Sequence, residues 1–342
     1  MAKDAHEILA DEVRRVFDAQ NEPMDSTTGK KLIINACVSG GFVNRTHNPN
    51  IPSTAEGVAK HVRDARNAGA AMWHFHPRDP ETDMIYLAIP QRVKLHKEWC
   101  DAVFALAPDI ITDVGAIYCA PPVVNGGVIE EKSILAENRM APLVEQLVAL
   151  GRRYIEIGIS LNHVAALGRG SNLLSFNNRV GVISDVKYLE SKGIRIEFSP
   201  FKHSDILDVK EWIVDPGIAK KPFILDTLLG LHNSPCPRSM TEAIDLLLTY
   251  HRMFPKQDGI FWHMLTGGRY WMPMAAMAIM LGADIVRIGF EDAVHMYPHS
   301  NTLIRSCGEV VEAVAGIARA LGREVATPSE AREMLGLPQL KS

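Results

Sequence analysis

After about residue 31 the chain alternates between two hydrophobic rhythms. Short, nearly continuous apolar runs rich in β-branched residues are followed by longer stretches in which apolar positions recur every three to four residues. The first rhythm predicts buried strands, the second amphipathic helices. Leu32 to Val38 reads as strand 1, and Ser53-Thr54-Ala55-Glu56 has the capping-box pattern of a helix running to about Asn67. Strand 2 is read over Ala71 to His76 with a helix near 90–106, and strand 3 over Asp109 to Gly115 with a helix from Glu137 to Leu150. Strand 4 spans Tyr154 to Ser160 (helix near 180–192) and strand 5 Ile194 to Pro200 (helix near 205–213). Strand 6 is Phe223 to Leu229, followed by a helix from Thr241 to Met253. Strand 7 is Gly259 to Thr266 with a helix from Pro273 to Leu281, and strand 8 is Asp284 to Phe290 with a helix from Asn301 to Leu321.

Eight βα units in succession predict an α/β fold of the (β/α)8 TIM-barrel type. A doubly wound sheet would carry a G-x-G-x-x-G turn after strand 1, and Ser39-Gly40-Gly41 does not match it. The domain plan is an N-terminal extension over 1–30 and a single barrel catalytic domain over 31–342, closed by a short helix that Thr327-Pro328-Ser329-Glu330 caps. Segments 117–136 and 161–178 are insertions after strands 3 and 4, on the face where barrel active sites form.

Composition narrows the options. Apolar residues make up 47% of 342 and the net charge is −4, so a nucleic-acid partner is not expected. No run of 18 apolar residues and no apolar leader occurs, which points to a cytoplasmic protein without a membrane span. The five cysteines are scattered with no C-x-x-C pair, so a metal here would use nitrogen and oxygen ligands.

His74 and His76 lie two apart at the C-terminal end of strand 2, so their side chains point the same way. They form either half of a zinc-type site or a hydrogen-bonded pair at the barrel mouth. Strand 8 ends in Arg287-Ile288-Gly289-Phe290-Glu291-Asp292, and strands 2 and 8 both flank strand 1 in a closed barrel. Glu291 can therefore reach the histidines, which favours a His74, His76 and Glu291 metal site over charge that simply caps a loop.

These residues resemble the β-keto acid cleavage enzyme family over about 31–338. The resemblance rests on Asn48-Pro49-Asn50-Ile51-Pro52, the His-x-His of strand 2 and the Arg-x-Gly-Phe-Glu-Asp of strand 8. It continues through Gly322-Arg323-Glu324-Val325-Ala326-Thr327-Pro328 and Ala331-Arg332-Glu333-Met334-Leu335. It implies zinc (or another divalent metal) on His74, His76 and Glu291, acetyl-CoA as co-substrate, and a homotetramer. The implied reaction converts a β-keto acid and acetyl-CoA into acetoacetate and a new CoA thioester. Asp292 would be the base, Arg287 would hold it ionised, and Glu197 would inherit the catalytic acid of strand 5. Three departures stand out: Asp113-Val114-Gly115-Ala116 replaces a Ser-Thr-Gly-Gly run, strand 5 keeps one acid where two alternate, and Phe42 stands where an acid would meet an amino-bearing substrate.

Gly267-Gly268-Arg269 after strand 7 is a candidate CoA phosphate contact. His47, His203, His295 and His299 fall in loops, and Met272 to Met277 reads as outer packing. Three other readings share the barrel. A metal-dependent aldolase or lyase would need no acetyl-CoA. An amidohydrolase-type enzyme would want histidines on strands 5 and 6. A binding module would need no metal.

Overall fold

The computed structural model describes residues 4–21, 29–41, 43–83, 88–115, 140–160, 165–166, 174–175, 179–231 and 234–340. Eight parallel strands close into one barrel: β1 (Ile33–Ser39), β2 (Met72–Phe75), β3 (Ile111–Val114), β4 (Ile157–Ser160), β5 (Arg195–Phe198), β6 (Phe223–Leu229), β7 (Ile260–Thr266) and β8 (Ile285–Gly289). Each strand pairs with its successor and β8 pairs back onto β1, as the eight-unit reading required. The helices are α1 (Ala5–Asn21), α2 (Ala55–Ala68), α3 (Ile89–Leu106), α4 (Ala141–Leu150), α5 (Arg179–Ser191), α6 (His203–Val209), α7 (Met240–Met253), α8 (Trp271–Leu281), α9 (Cys307–Ala320) and α10 (Pro328–Met334).

Local differences have local causes. The α2 cap falls on Thr54, whose hydroxyl accepts the Gly57 N–H at 3.2 Å, one residue later than expected. Glu56 turns instead to Lys60 one turn on. The α9 helix starts at Cys307, not Asn301, because Ser306 supplies its N-cap. Arg152–Tyr154 is a 3-10 turn rather than the start of β4. The predicted cap of α10 stands: Thr327 and Glu330 form a capping box with Pro328 in the first turn. Insertion 117–136 lies outside the described residues. Of 161–178 only the antiparallel pair Ala165–Ala166 and Leu174–Ser175 is described. Every residue of α1 is exposed, including Ile8, Leu9, Val13 and Phe17.

The barrel interior is layered by the alternation of the strands. The bottom layer is apolar, with Ile33, Met72, Ile111, Ile157, Ile224 and Ile285 packed together. α10 closes it from below through Ala331 and Leu335. Arg332 fixes that plug by a two-point ion pair with Glu156 (2.5 and 3.1 Å), both groups buried. One step up, the layer turns polar: Asn35, His74, Asp113, Glu197, Asp226, His263 and Arg287 are all buried. Outward-facing positions such as Ile34, Ala36, Trp73 and Val286 pack instead against the helical ring.

Closure of β1 on β8 depends on one small residue. Gly289 lies beside Cys37 in the ladder, and a methyl group there would overlap the Cys37 backbone carbonyl. Gly289→Ala is expected to cost roughly 3 kcal/mol or more, the upper end of overpacking effects. Gly316→Ala, on α9 with open space around it, should be neutral or stabilising by about 0.4–1 kcal/mol. Urea denaturation of the two variants checks both; equal stabilities would refute the closure argument.

Candidate active site at the barrel mouth

One register row across four strands builds the site. Gly289 of β8 pairs with Cys37 of β1, Cys37 with His74 of β2, and His74 with Asp113 of β3. The β1–β2 ladder shifts between Cys37 and Ser39, an irregularity of the kind that re-aims side chains at barrel rims. Beyond it the Ser39 carbonyl accepts the His76 N–H at 2.9 Å. On the other side β8 ends in a turn in which the Gly289 carbonyl accepts the N–H of both Asp292 and Ala293 at 3.0 Å. Plain alternation would send Glu291 and Asp292 to opposite faces. The turn brings both to Arg287, whose Nη2 lies 3.2 Å from Glu291 Oε2 and 2.7 Å from Asp292 Oδ1.

His74, His76 and Glu291 converge. His74 Nε2 is 3.2 Å from Glu291 Oε2, His76 Nε2 is 3.4 Å from Glu291 Oε1, and the two ring nitrogens are 3.1 Å apart. His74 Nδ1 lies 3.0 Å from Asp113 Oδ2, and the Asn35 amide donates to the same oxygen at 2.7 Å. Asp113 therefore fixes the ring orientation and accepts a hydrogen bond from the Nδ1–H, leaving Nε2 to face the site. Two imidazole nitrogens facing each other at that distance need a hydrogen or a metal ion between them. The donor set fits a divalent cation: two imidazoles and a carboxylate leave an open position. Gly40 and Gly115 make the room, since a methyl at Gly40 would strike Glu291 and one at Gly115 both histidines.

The electrostatics agree with a single positive charge. Burial works against the imidazolium at His74, but Asp113 overcomes it and lifts the pKa to about 9. At His76 burial prevails over Glu291, and the pKa falls to about 3. Cys37 was absent from the sequence reading, which looked for paired cysteines. Its Sγ lies 2.9 Å from Glu291 Oε2. Burial, reinforced by Glu291, pushes the thiol far up, so Cys37 donates to Glu291 rather than offering a thiolate. Arg287 pulls Asp292 toward its ionised form. Burial raises the Asp292 pKa and outweighs the pull of Arg287. Arg287 binds Asp292 Oδ1 through Nε and Nη2, while the buried Oδ2 has no hydrogen-bond partner among the described residues.

Behind this group lies a second cluster that the sequence reading missed. His263 Nδ1 sits 3.0 Å from Glu197 Oε1 and 2.9 Å from Asp226 Oδ1, and Ser199 donates to Asp226. Glu197, expected as a catalytic acid, is wholly buried and also bonds Asp113. Two carboxyl groups can bond only through a proton. Burial, with Asp113 and Asp226 nearby, holds the Glu197 pKa well above the usual range, so Glu197 carries it.

A cavity of about 380 Å³ opens over the loops after β1, β6, β7 and β8, with Glu291 and Asp292 in its wall. His47, His295 and Arg269 line it as well. His203 packs edge-on to Tyr250 and His299 stacks on Tyr297, both away from that lining. Met274 packs into the outer core as expected. Gly267 and Gly268 have no N–H to offer a phosphate: they donate to the Leu229 and Asp292 carbonyls, each at 2.8 Å. Of that trio Gly268 and Arg269 line the cavity, and only Arg269 brings a side chain to it. Phe42 lies outside the described residues.

A closed parallel barrel with a buried histidine–carboxylate group at the C-terminal ends of its strands is the architecture of a (β/α)8-barrel enzyme. Residues 31–337 match the beta-keto acid cleavage enzyme family, and the chain belongs to that family. It is 29% identical over 311 residues to a 3-keto-5-aminohexanoate cleavage enzyme of Acetoanaerobium sticklandii, covering 90% of this chain and 99% of that one. It is 25% identical over 320 residues to the 3,5-dioxohexanoate:acetyl-CoA acetone transferase of Paraburkholderia graminis, covering 91% and 97%. Among solved structures, apo ObcA shares the fold, with a TM-score of 0.64 at 16% identity over 84% of this chain and 66% of its own.

Two measurements test this geometry. Elemental analysis of wild-type protein should find about one divalent ion per chain, lost in Glu291→Ala and His76→Ala, with affinity reduced roughly 10- to 100-fold in Asp113→Ala. Full metal retention in Glu291→Ala would sink the ligand assignment. Glu197→Gln, which keeps a donor toward Asp113, should stay within a few-fold of wild-type activity. A loss of roughly 100-fold or more, the size of a missing general acid, would restore Glu197 to the chemistry.

Proposed function

We propose that the protein is a metal-dependent β-keto acid cleavage enzyme that turns a β-keto acid and acetyl-CoA into acetoacetate and a new acyl-CoA. The observation that carries this reading is the pairing of a three-donor metal group with a base beside it. His74, His76 and Glu291 meet within 3.4 Å, and Asp292 is held next to them by Arg287. The relatives support it. Two of them are named 3,5-dioxohexanoate:acetyl-CoA acetone transferase and 3-dehydrocarnitine:acetyl-CoA trimethylamine transferase. Zinc suits the donor set, the family resemblance extends the reading to a homotetramer, and the sequence pattern to a cytoplasmic protein.

His74, His76 and Glu291 would hold the ion, which when bound supplies Lewis-acid polarisation of the substrate's keto group. The protein supplies the rest. Arg287 occupies Asp292 Oδ1, which leaves Oδ2 to take a proton from the carbon between the keto and carboxylate groups. Burial makes Asp292 a stronger base than an exposed aspartate, which favours that transfer. The carbanion attacks the acetyl thioester carbonyl and CoA leaves as thiolate. The thiolate then attacks the original keto carbon, and the bond between that carbon and the former carbanion carbon breaks. Acetoacetate departs after recovering the proton from Asp292, and the acyl group stays on CoA. One keto acid and one acetyl-CoA have become one acetoacetate and one acyl-CoA.

A screen of β-keto acids with acetyl-CoA, following acetoacetate, tests the proposal. Turnover should require both substrates and fall by roughly 100-fold or more in Asp292→Asn. Cleavage of the keto acid without acetyl-CoA would make the protein a lyase. An Asp292→Asn variant as active as wild type would remove the base.

A further inference from the structure

The mouth cavity over Glu291 and Asp292 has a chemical bias. Its wall combines the apolar Val43, Leu231 and Val294 with the imidazoles of His47 and His295 and the guanidinium of Arg269. The only carboxylates in its described lining are Glu291 and Asp292, and both are committed to the histidines and Arg287. Arg269 is held in place by neutral acceptors: Nη1 donates to the Ser300 carbonyl and Nη2 to the Asn301 side-chain oxygen at 2.7 Å. Among the described residues no carboxylate neutralises it. A half-buried guanidinium fixed by neutral groups, with its charge unanswered, is a site for an anion. An ammonium group in the same place would meet a cation and find no acid of its own.

We propose that this cavity selects β-keto acids whose far end is anionic, a second carboxylate above all, and that Arg269 reads that group. The proposal rests on the β-keto acid reading above and names its substrate class. A CoA phosphate offers the same anionic chemistry to Arg269. The two glycines before it have already spent their N–H groups within the protein, so no backbone cradle for a phosphate remains there.

The test compares three β-keto acids of one chain length, ending in a carboxylate, a methyl or an ammonium group, with acetyl-CoA and the metal-loaded enzyme. The carboxylate-ended substrate should have the highest kcat/KM, by roughly 10- to 100-fold. Arg269→Gln should erase that advantage through the KM for the keto acid, with kcat and the KM for acetyl-CoA little changed. Arg269→Lys should restore part of it. Preference for the methyl- or ammonium-ended substrate overturns the proposal, as does an Arg269→Gln effect confined to the KM for acetyl-CoA. Calorimetric binding of glutarate against pentanoate is read alongside. Absence of turnover with every keto acid would reject the cleavage reading, while tighter glutarate binding that Arg269→Gln abolishes would still support the anion site. Equal binding of the two acids would reject it.

Discussion

Charge sealed inside a closed barrel must be balanced by other groups in the barrel, and in this protein one buried carboxylate does most of that balancing. Asp113 touches His74, Asn35 and Glu197 within a layer that water does not reach. An isolated carboxylate there would be strongly penalised by desolvation. It is tolerable because His74 answers its charge and Glu197 stays protonated beside it. In return Asp113 sets which nitrogen of His74 faces the mouth. The orientation of the first metal-type donor is thus decided by a chain of contacts running to His263, Asp226 and Ser199. The apolar floor beneath, plugged by α10, keeps solvent away from that chain.

Much of this was legible in the sequence. The βα rhythm specifies the closed barrel because each strand is buried on both faces and each helix on one. The His-x-His pair and Glu291 were found because barrels put such groups at the C-terminal ends of strands, and because β8 must neighbour β1. Asp292 was harder, since strand alternation would turn it away; only the turn on the Gly289 carbonyl brings it inward. Cys37, Asp226 and His263 were missed for a different reason. Each is a lone ionisable side chain in a mostly apolar strand, and its partners lie on or just after other strands. A search for lone polar residues at inward positions of β5, β6 and β7 would have aligned Glu197, Asp226 and His263. At Glu197 the sequence shows that an acid is present but not how deeply it lies. Gly267 and Gly268 looked like a phosphate loop, but their N–H groups close the turns between neighbouring strands.

The reacting groups and the outer wall of the cavity sit in different parts of the fold, strand ends and loops. The match covers 31–337 and takes in the barrel, the plug and the histidine–carboxylate group. The exposed helix α1 falls outside it. The mouth loops lie within the match as well, and they bring His47, Arg269 and His295 to the cavity wall. A barrel permits that division: strand ends hold the reacting groups rigidly, while loops can change the far wall of the cavity without disturbing the row from Gly289 to Asp113.

The pairing of the first strand with the last has a consequence for how the protein is made. His74 leaves the ribosome early, but Glu291 follows 217 residues later (291 − 74). At ordinary rates of synthesis that is a wait of roughly ten to forty seconds. Until β8 emerges, β1 has an open edge, the histidines lack their carboxylate, and the interior charges lack the floor that α10 supplies. The nascent chain therefore spends most of its time on the ribosome holding half of a metal-type site. Such a chain depends on whatever shields exposed strand edges and loose imidazoles until the C-terminus is released.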